Sequence, residues 1–277
     1  MKDPDDLGAW FDALFEWDAK RAPELGVQFE TLRYGDSPDQ ELDLWSSELD
    51  VSELVGSELG SSERRGPVLI SIHGGYFLQD YDRSLHTPIS RQLAAEGFTV
   101  ANIEYRRGAS GREATLNDIV TALDAAAART GSNEIAVFGH SAGGYLAAQL
   151  ATHPKVSLVI PLAPVSDLAE ASIEGWDEGG IALWLGGEPS ENTDLYAQAD
   201  LKNQVAGKAT RIVIHGTDDT AVAVEQSRRL VEAWREAGVE SDYLELPGEG
   251  HYGYLDPREP AFKVLRDQLV SWRNTLG

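Results

Sequence analysis

Ser141 sits in the run Gly139-His140-Ser141-Ala142-Gly143-Gly144, a Gly-x-Ser-x-Gly pattern. A serine hydroxyl is a weak nucleophile. Held at a sharp strand-to-helix turn beside a general base, it can attack an acyl carbon. The flanking sequence suits such a turn: an apolar run over 134–138 precedes it and a helix-compatible stretch over 142–152 follows. Glycines two residues either side of the serine let strand and helix approach closely. The helix N-terminus adds positive partial charge beside the reacting oxygen. A chain with 27 glycines can also place a serine in a glycine-rich turn by accident, so the flanking elements carry the reading.

A nucleophile of this kind needs a base and an acid to orient it. His251, in the loop Pro247-Gly248-Glu249-Gly250-His251-Tyr252 after the last strand-like run, is the candidate base. The other histidines fit the task less well. His140 lies inside the turn, with its side chain expected to point away from the serine. His86 and His153 fall in helix-like or loop segments, where a solvated surface role is expected. His215 is expected to brace the turn that follows it, and His73 the loop that it opens. The acid is expected in His215-Gly216-Thr217-Asp218-Asp219-Thr220-Ala221-Val222, between a strand and a helix. Asp218 and Asp219 compete there, and Asp167 after an earlier strand is a third candidate.

The elements that must hold these residues alternate along the chain, which predicts an α/β fold with a mostly parallel sheet. An opening helix over 8–20 carries Trp10, Leu14 and Trp17 at helical spacing. Val27–Tyr34 and Glu41–Trp45 read as strands joined by the turn Gly35-Asp36-Ser37-Pro38-Asp39, pairing antiparallel at a sheet edge. Val68–Ile72, Phe98–Ile103, Glu134–Phe138 and Val156–Leu162 are continuous apolar runs, as expected of strands covered on both faces. Arg211–His215 and Asp242–Leu246 complete a set of eight. Helices are predicted with Leu116, Ile119, Val120 and Leu123 on one face behind a Thr115 cap, over 142–152, over 223–237, and over 259–275. Residues 167–207 break the alternation and are the candidate cap or lid. Residues 47–66, Ser- and Glu-rich, read as an exposed connection. The whole, 1–277, reads as one domain.

Composition narrows the chemistry. The chain has 277 residues, 42% of them hydrophobic, and no cysteine. Disulfides, thiol catalysis and Cys-based metal sites are thereby excluded. The formal net charge of -23 repels phosphate backbones and anionic lipid, so nucleic acid and membrane are not expected partners. No basic-then-apolar leader and no long apolar span is visible, which suits a cytoplasmic setting. There is no His-Glu-x-x-His, no Walker loop and no Gly-x-Gly-x-x-Gly in the first βα unit. No metal and no cofactor is therefore expected. For the serine chemistry above, the expected partner is a small-molecule ester or amide. Oligomeric state is not written in one sequence, and a homodimer stays open.

With these residues in place, the chain resembles the α/β-hydrolase superfamily over nearly its whole length. More narrowly it is similar to the esterase and arylformamidase (kynurenine formamidase-like) branch. The matching pieces are Tyr34-Gly35, Leu42-Asp43-Leu44-Trp45, His73-Gly74-Gly75-Tyr76-Phe77, Tyr105-Arg106, Gly139–Gly144, Pro164-Val165-Ser166-Asp167-Leu168 and the Asp219 and His251 loops. The resemblance implies an eight-stranded twisted sheet with helices on both faces and a short cap. It implies a triad of Ser141, Asp219 and His251, selecting Asp219 through the pattern His-Gly-x-x-Asp-x-x-Val. It also implies an oxyanion hole from the N–H groups near Gly74, Gly75 and Ala142. Tyr76, Phe77, Trp184 and Tyr252, with Trp176 and Tyr196, are pocket candidates, although such aromatic residues are more often plain core packing. The implied activity is hydrolysis of small carboxylic esters or amides through an acyl-enzyme. Phe77 stands where the branch commonly carries Trp, which makes arylformamidase action on N-formylkynurenine the second reading. A catalytically silent binding protein on the same scaffold is the rival from another class, and an acyltransferase is the variant in which an alcohol or amine intercepts the acyl-enzyme.

Overall fold

Four of the loops singled out above emerge from one edge of a single sheet. In a computed structural model, which describes residues 4–47, 67–175 and 177–276, the strands are β1 (Gln28–Arg33), β2 (Glu41–Ser46), β3 (Val68–Ile72), β4 (Thr99–Ile103), β5 (Ile135–His140), β6 (Val156–Leu162), β7 (Thr210–Gly216) and β8 (Ser241–Leu246). Their order across the sheet is β1-β2-β4-β3-β5-β6-β7-β8. The pairs β4–β3, β3–β5, β5–β6, β6–β7 and β7–β8 are parallel, while β2 runs antiparallel to both β1 and β4. Parallelism carries the carboxyl ends of β3, β5, β7 and β8 to the same side. That is the crevice edge where open α/β sheets place their ligand sites.

The helices are α1 (Pro4–Leu25), α2 (Thr87–Ala95), α3 (Gly111–Thr130), α4 (Ala142–Gln149), α5 (Leu168–Glu174), α6 (Gly180–Leu185), α7 (Thr193–Ala199), α8 (Val224–Glu236) and α9 (Pro260–Thr275). Alternate strand residues feed two cores. Val68, Ile70, Ile72 and Val137 pack with α3, α4 and α8 through residues such as Leu123, Leu146 and Trp234. Leu69, Val100, Ala136 and Phe138 pack with α2 and α9 through Leu93, Phe262 and Leu269. Both faces are thus apolar, which is why these strands lack a polar alternation. Among the described residues, no helix is long and apolar enough to cross a membrane.

Every expected strand is present, and the differences lie at the ends and in the helices. The opening helix extends over both predicted limits, to Pro4 and Leu25, with Pro23 inside its last turn. Thr115 is not a cap: α3 begins a turn earlier, after Ser110. Its hydroxyl instead donates to the carbonyls of Arg106 (2.6 Å) and Gly111 (3.2 Å). Val120, expected to face inward, is 40% exposed, because the buried stripe of α3 runs through Ile119, Ala122, Leu123 and Ala126. The strand-like alternation is interrupted as expected after β6, by the short helices α5, α6 and α7. The connection expected over 47–66 lies outside the described residues from 48 onward, as does Trp176.

Candidate active site

Ser141 stands between β5 and α4 with φ 58° and ψ −119°. This left-handed region is costly for a residue with a Cβ. The turn is held there by backbone bonds: Ser141 N–H donates to Leu162 of β6 at 2.9 Å, and the Ser141 carbonyl accepts from Tyr145 at 3.1 Å. Close packing permits no bulk beneath it. A Cβ at Gly143 would lie 2.1 Å from the carbonyl oxygen of Ile72 and 2.4 Å from that of His73. The elbow therefore rests directly on the end of β3.

The His73–Phe77 loop closes over the same place. A Cβ built on Gly74 would lie 2.7 Å from the His140 carbonyl oxygen and 3.1 Å from the Ser141 Cβ. Backbone of the loop thus lies against the candidate nucleophile, and the N-terminal amides of α4, Ala142 first, start beside it. Tyr76 and Phe77 both adopt positive φ, 56° and 59°. Such strain persists only where surroundings hold it.

What holds the loop is a buried charge network that the sequence did not reveal. His73 Nε2 meets Glu104 Oε1 at 2.9 Å, and its Nδ1 meets the Gly74 carbonyl at 2.7 Å. Arg107 Nη1 donates to Glu104 Oε1 at 2.6 Å, and its Nε to the Leu78 carbonyl at 2.9 Å. The Tyr105 hydroxyl donates to the His73 carbonyl at 2.7 Å. Burial alone would raise the Glu104 pKa. The His73 and Arg107 charges and the Arg83 N–H outweigh it and lower the carboxyl to about 2. The one signal for this in the sequence is the run Glu104-Tyr105-Arg106-Arg107 directly after an apolar strand.

His251 and Asp219 form a buried pair, Nδ1 to Oδ2 at 2.6 Å, with side-chain exposures of 4% and 0%. The other Asp219 oxygen accepts from the N–H groups of Ala221 (2.9 Å) and Val222 (2.8 Å). His215 Nε2 meets Oδ2 at 3.0 Å and its Nδ1 meets Ser227 Oγ at 2.7 Å. Burial disfavours charge on Asp219. The partnered histidines outweigh it and hold this carboxyl well below the usual carboxylate range. Asp218 is exposed and accepts from Thr217 at 3.0 Å. Asp167 caps α5, accepting from Glu170 N–H at 3.0 Å, and pairs with Lys202 at 3.1 Å. Of the three acid candidates, only Asp219 is bonded to His251.

His140, expected inside the turn with its side chain away from the serine, makes a contact that its sequence position does not announce. Its Nε2 lies 2.8 Å from the His251 carbonyl oxygen, and the two rings are 4.5 Å apart. His86 is a correction: it is fully buried, not on the surface, with Nδ1 2.8 Å from Ser71 Oγ. The Phe138 ring lies parallel to that of His86, 6.2 Å between centroids.

A small, mostly apolar cleft opens beside this group. Tyr76, Phe77 and Ala142 line it on one side, Val165, Ala171 and Ile181 on another, and Val222 behind the Asp219 turn. Trp184 stands one layer back, stacked on Phe77 at 4.0 Å and donating from Nε1 to Thr115 Oγ at 2.7 Å. Tyr252 packs between His251 and the aromatic residues Trp10 and Phe11 of α1. Its hydroxyl shares a hydrogen bond with that of Tyr76, and burial pushes both phenols up. Tyr196 is buried, its hydroxyl donating to Gly187 at 3.2 Å.

The BD-FAE family profile matches residues 59–234. The chain belongs to the BD-FAE family of α/β-hydrolases. This BD-FAE chain is 27% identical to esterase LipC of Mycobacterium tuberculosis over 90% of its own length, and spans 66% of that protein. It is 25% identical to the kynurenine formamidase of Drosophila melanogaster, over 83% of this chain and 77% of that one. Its fold is that of esterase B from Lactobacillus rhamnosus, with a TM-score of 0.71 at 20% identity, covering 98% of this chain and 96% of the other. The expected α/β-hydrolase architecture is therefore the observed one.

Proposed function

We propose that the chain hydrolyses small carboxylic esters through an acyl-enzyme. Ser141 attacks, His251 takes its proton, and Asp219 fixes the imidazole tautomer and stabilises its cation. The observation that carries this reading is the buried 2.6 Å contact between His251 Nδ1 and an ionised Asp219. It occupies Nδ1 and leaves Nε2 as the nitrogen that can receive the serine proton. The negative charge on the acyl oxygen then develops beside the first amide of α4 and the Gly74–Gly75 backbone. Preorganised N–H groups and the helix dipole favour it there. Protonated His251 next donates to the departing alcohol. The same imidazole deprotonates a water, which releases the acid and restores Ser141.

The apolar cleft beside Ala142 suits an alkyl acyl group. Its walls of Phe77, Val165, Ala171, Ile181 and Val222 offer hydrocarbon, and the Asp177 carboxylate in its lining is taken up by the N–H groups of Gly179 and Ile181. Short alkyl acyl groups match it. The formamidase relative supports a second reading, in which a formyl amide is cleaved by the same residues. A panel of 4-nitrophenyl acetate, butyrate and octanoate against N-formylkynurenine separates the two. The ester reading expects acetate and butyrate to give the highest kcat/KM. A preference for N-formylkynurenine overturns it in favour of the amide, and no turnover of any of them points to a silent scaffold.

A further inference from the structure

The fold also buries histidines that the proposed reaction does not use. His140 takes no proton in the proposed reaction, yet it is 4% exposed and bonded to the residue that does.

We propose that His140 is a positioning residue, a strut that sets the distance between nucleophile and base by holding the His251 main chain. The inference rests on the reading of Ser141 and His251 given above. Its geometry is simple. A carbonyl oxygen can only accept, so the His140 ring must donate from Nε2 across the 2.8 Å to His251. The ring is one residue before Ser141, at the end of β5, where the strand is fixed by pairing with Leu162 of β6. One hydrogen bond and one peptide unit thus join the base loop to the elbow. The Asp219 contact fixes the His251 ring from the side, at Nδ1. That contact holds the side chain, and the His140 bond holds the main chain of the same residue.

The surroundings keep the strut rigid and in one state. Its ring lies among those of His251 (4.5 Å), Tyr254 (5.8 Å), Tyr252 (6.1 Å) and His86 (6.5 Å). Burial, and then the neighbouring His251, push its pKa well down. A neutral ring whose Nε2 must donate has only one tautomer open to it. Removing the donor also leaves a buried carbonyl unpaired, which favours a shift of the loop until water or another donor reaches it.

The test compares three substitutions in the whole chain, with Ser141→Ala as reference. His140→Phe keeps the ring and removes the donor. His140→Asn is too short to span the gap. His140→Gln places an amide N–H near the Nε2 position. With a 4-nitrophenyl ester, His140→Phe and His140→Asn are expected to lose about 10- to 100-fold in kcat, the scale of an ångström-sized misplacement. KM stays within about two-fold, because the strut touches no substrate. His140→Gln recovers kcat to within about three-fold of the parent on the same scale. If the Phe variant does not fold, the Asn and Gln pair decides alone, with thermal melting as the check that both are folded. Parent-like kcat in the Asn variant, or a Gln variant as impaired as Asn, overturns the strut. Loss confined to KM overturns it equally. Failure of the underlying reading looks different: Ser141→Ala then retains turnover, whatever the His140 variants do.

Discussion

Gly143 is where the proposed geometry can be strained by a single methyl group. An alanine there would place its Cβ 2.1 Å from the Ile72 carbonyl oxygen, where real Cβ contacts essentially never fall below 3.0 Å. About 0.9 Å of separation between α4 and the end of β3 must therefore be found, and both obstructing atoms are backbone. That displacement is shared between the elbow that carries Ser141 and the loop that begins at His73. Misplacement of reacting groups by about 1 Å costs on the order of 10²-fold in rate. Overpacking of this kind costs about 1–3 kcal/mol in stability. Gly143→Ala should thus lower kcat/KM for 4-nitrophenyl acetate by about 100-fold and reduce the melting temperature by several degrees. Gly8→Ala is the control, since a Cβ there meets nothing within 4 Å and the position is helical. It should leave activity unchanged and raise stability slightly. Gly143→Ala with parent-like kcat/KM would refute the claim that the elbow is clamped against β3.

Two further predictions rest on the Asp219 and Glu104 contacts. Asp219→Asn should lower kcat by roughly 10⁴-fold through the wrong imidazole tautomer, while Asp218→Asn stays within about two-fold; steady-state kinetics on the two variants, with the order reversed, would move the acid by one residue. Glu104 is lowered to about 2 from a model-peptide 4.5, so its ion pairs stabilise the fold fully above pH 4.5 and lose that contribution as pH falls toward 2. The difference corresponds to about 3 kcal/mol, and denaturant melts of Glu104→Gln should show a deficit at neutral pH that narrows in acid; a deficit independent of pH contradicts the assignment.

Much of this was legible from residue order. Continuous apolar runs such as Val68–Ile72 and Val156–Leu162 appear as strands with those same limits, because burial on both faces leaves no position for a polar residue. The elbow was visible because glycine spacing and flanking elements agree. Thr115 looks like a cap because Thr side chains cap helices in many sequences, and here its hydroxyl is taken up by Arg106 and Trp184. Contacts between segments far apart in the chain left little trace. Glu104 meets His73 across 31 residues and His140 meets His251 across 111; only the charged run after β4 hints at the first, and nothing local at the second. His86 was placed on the surface for the same reason: its helix-like neighbourhood does not show that Phe138 and Ser71 enclose it.

The most direct measurement is covalent labelling with a fluorophosphonate, followed by peptide mass spectrometry. The proposed chemistry predicts one adduct, on Ser141, formed rapidly in the parent protein and suppressed by orders of magnitude in His251→Ala. An adduct elsewhere, or a Ser141→Ala variant that still hydrolyses 4-nitrophenyl acetate at the parent rate, would contradict it.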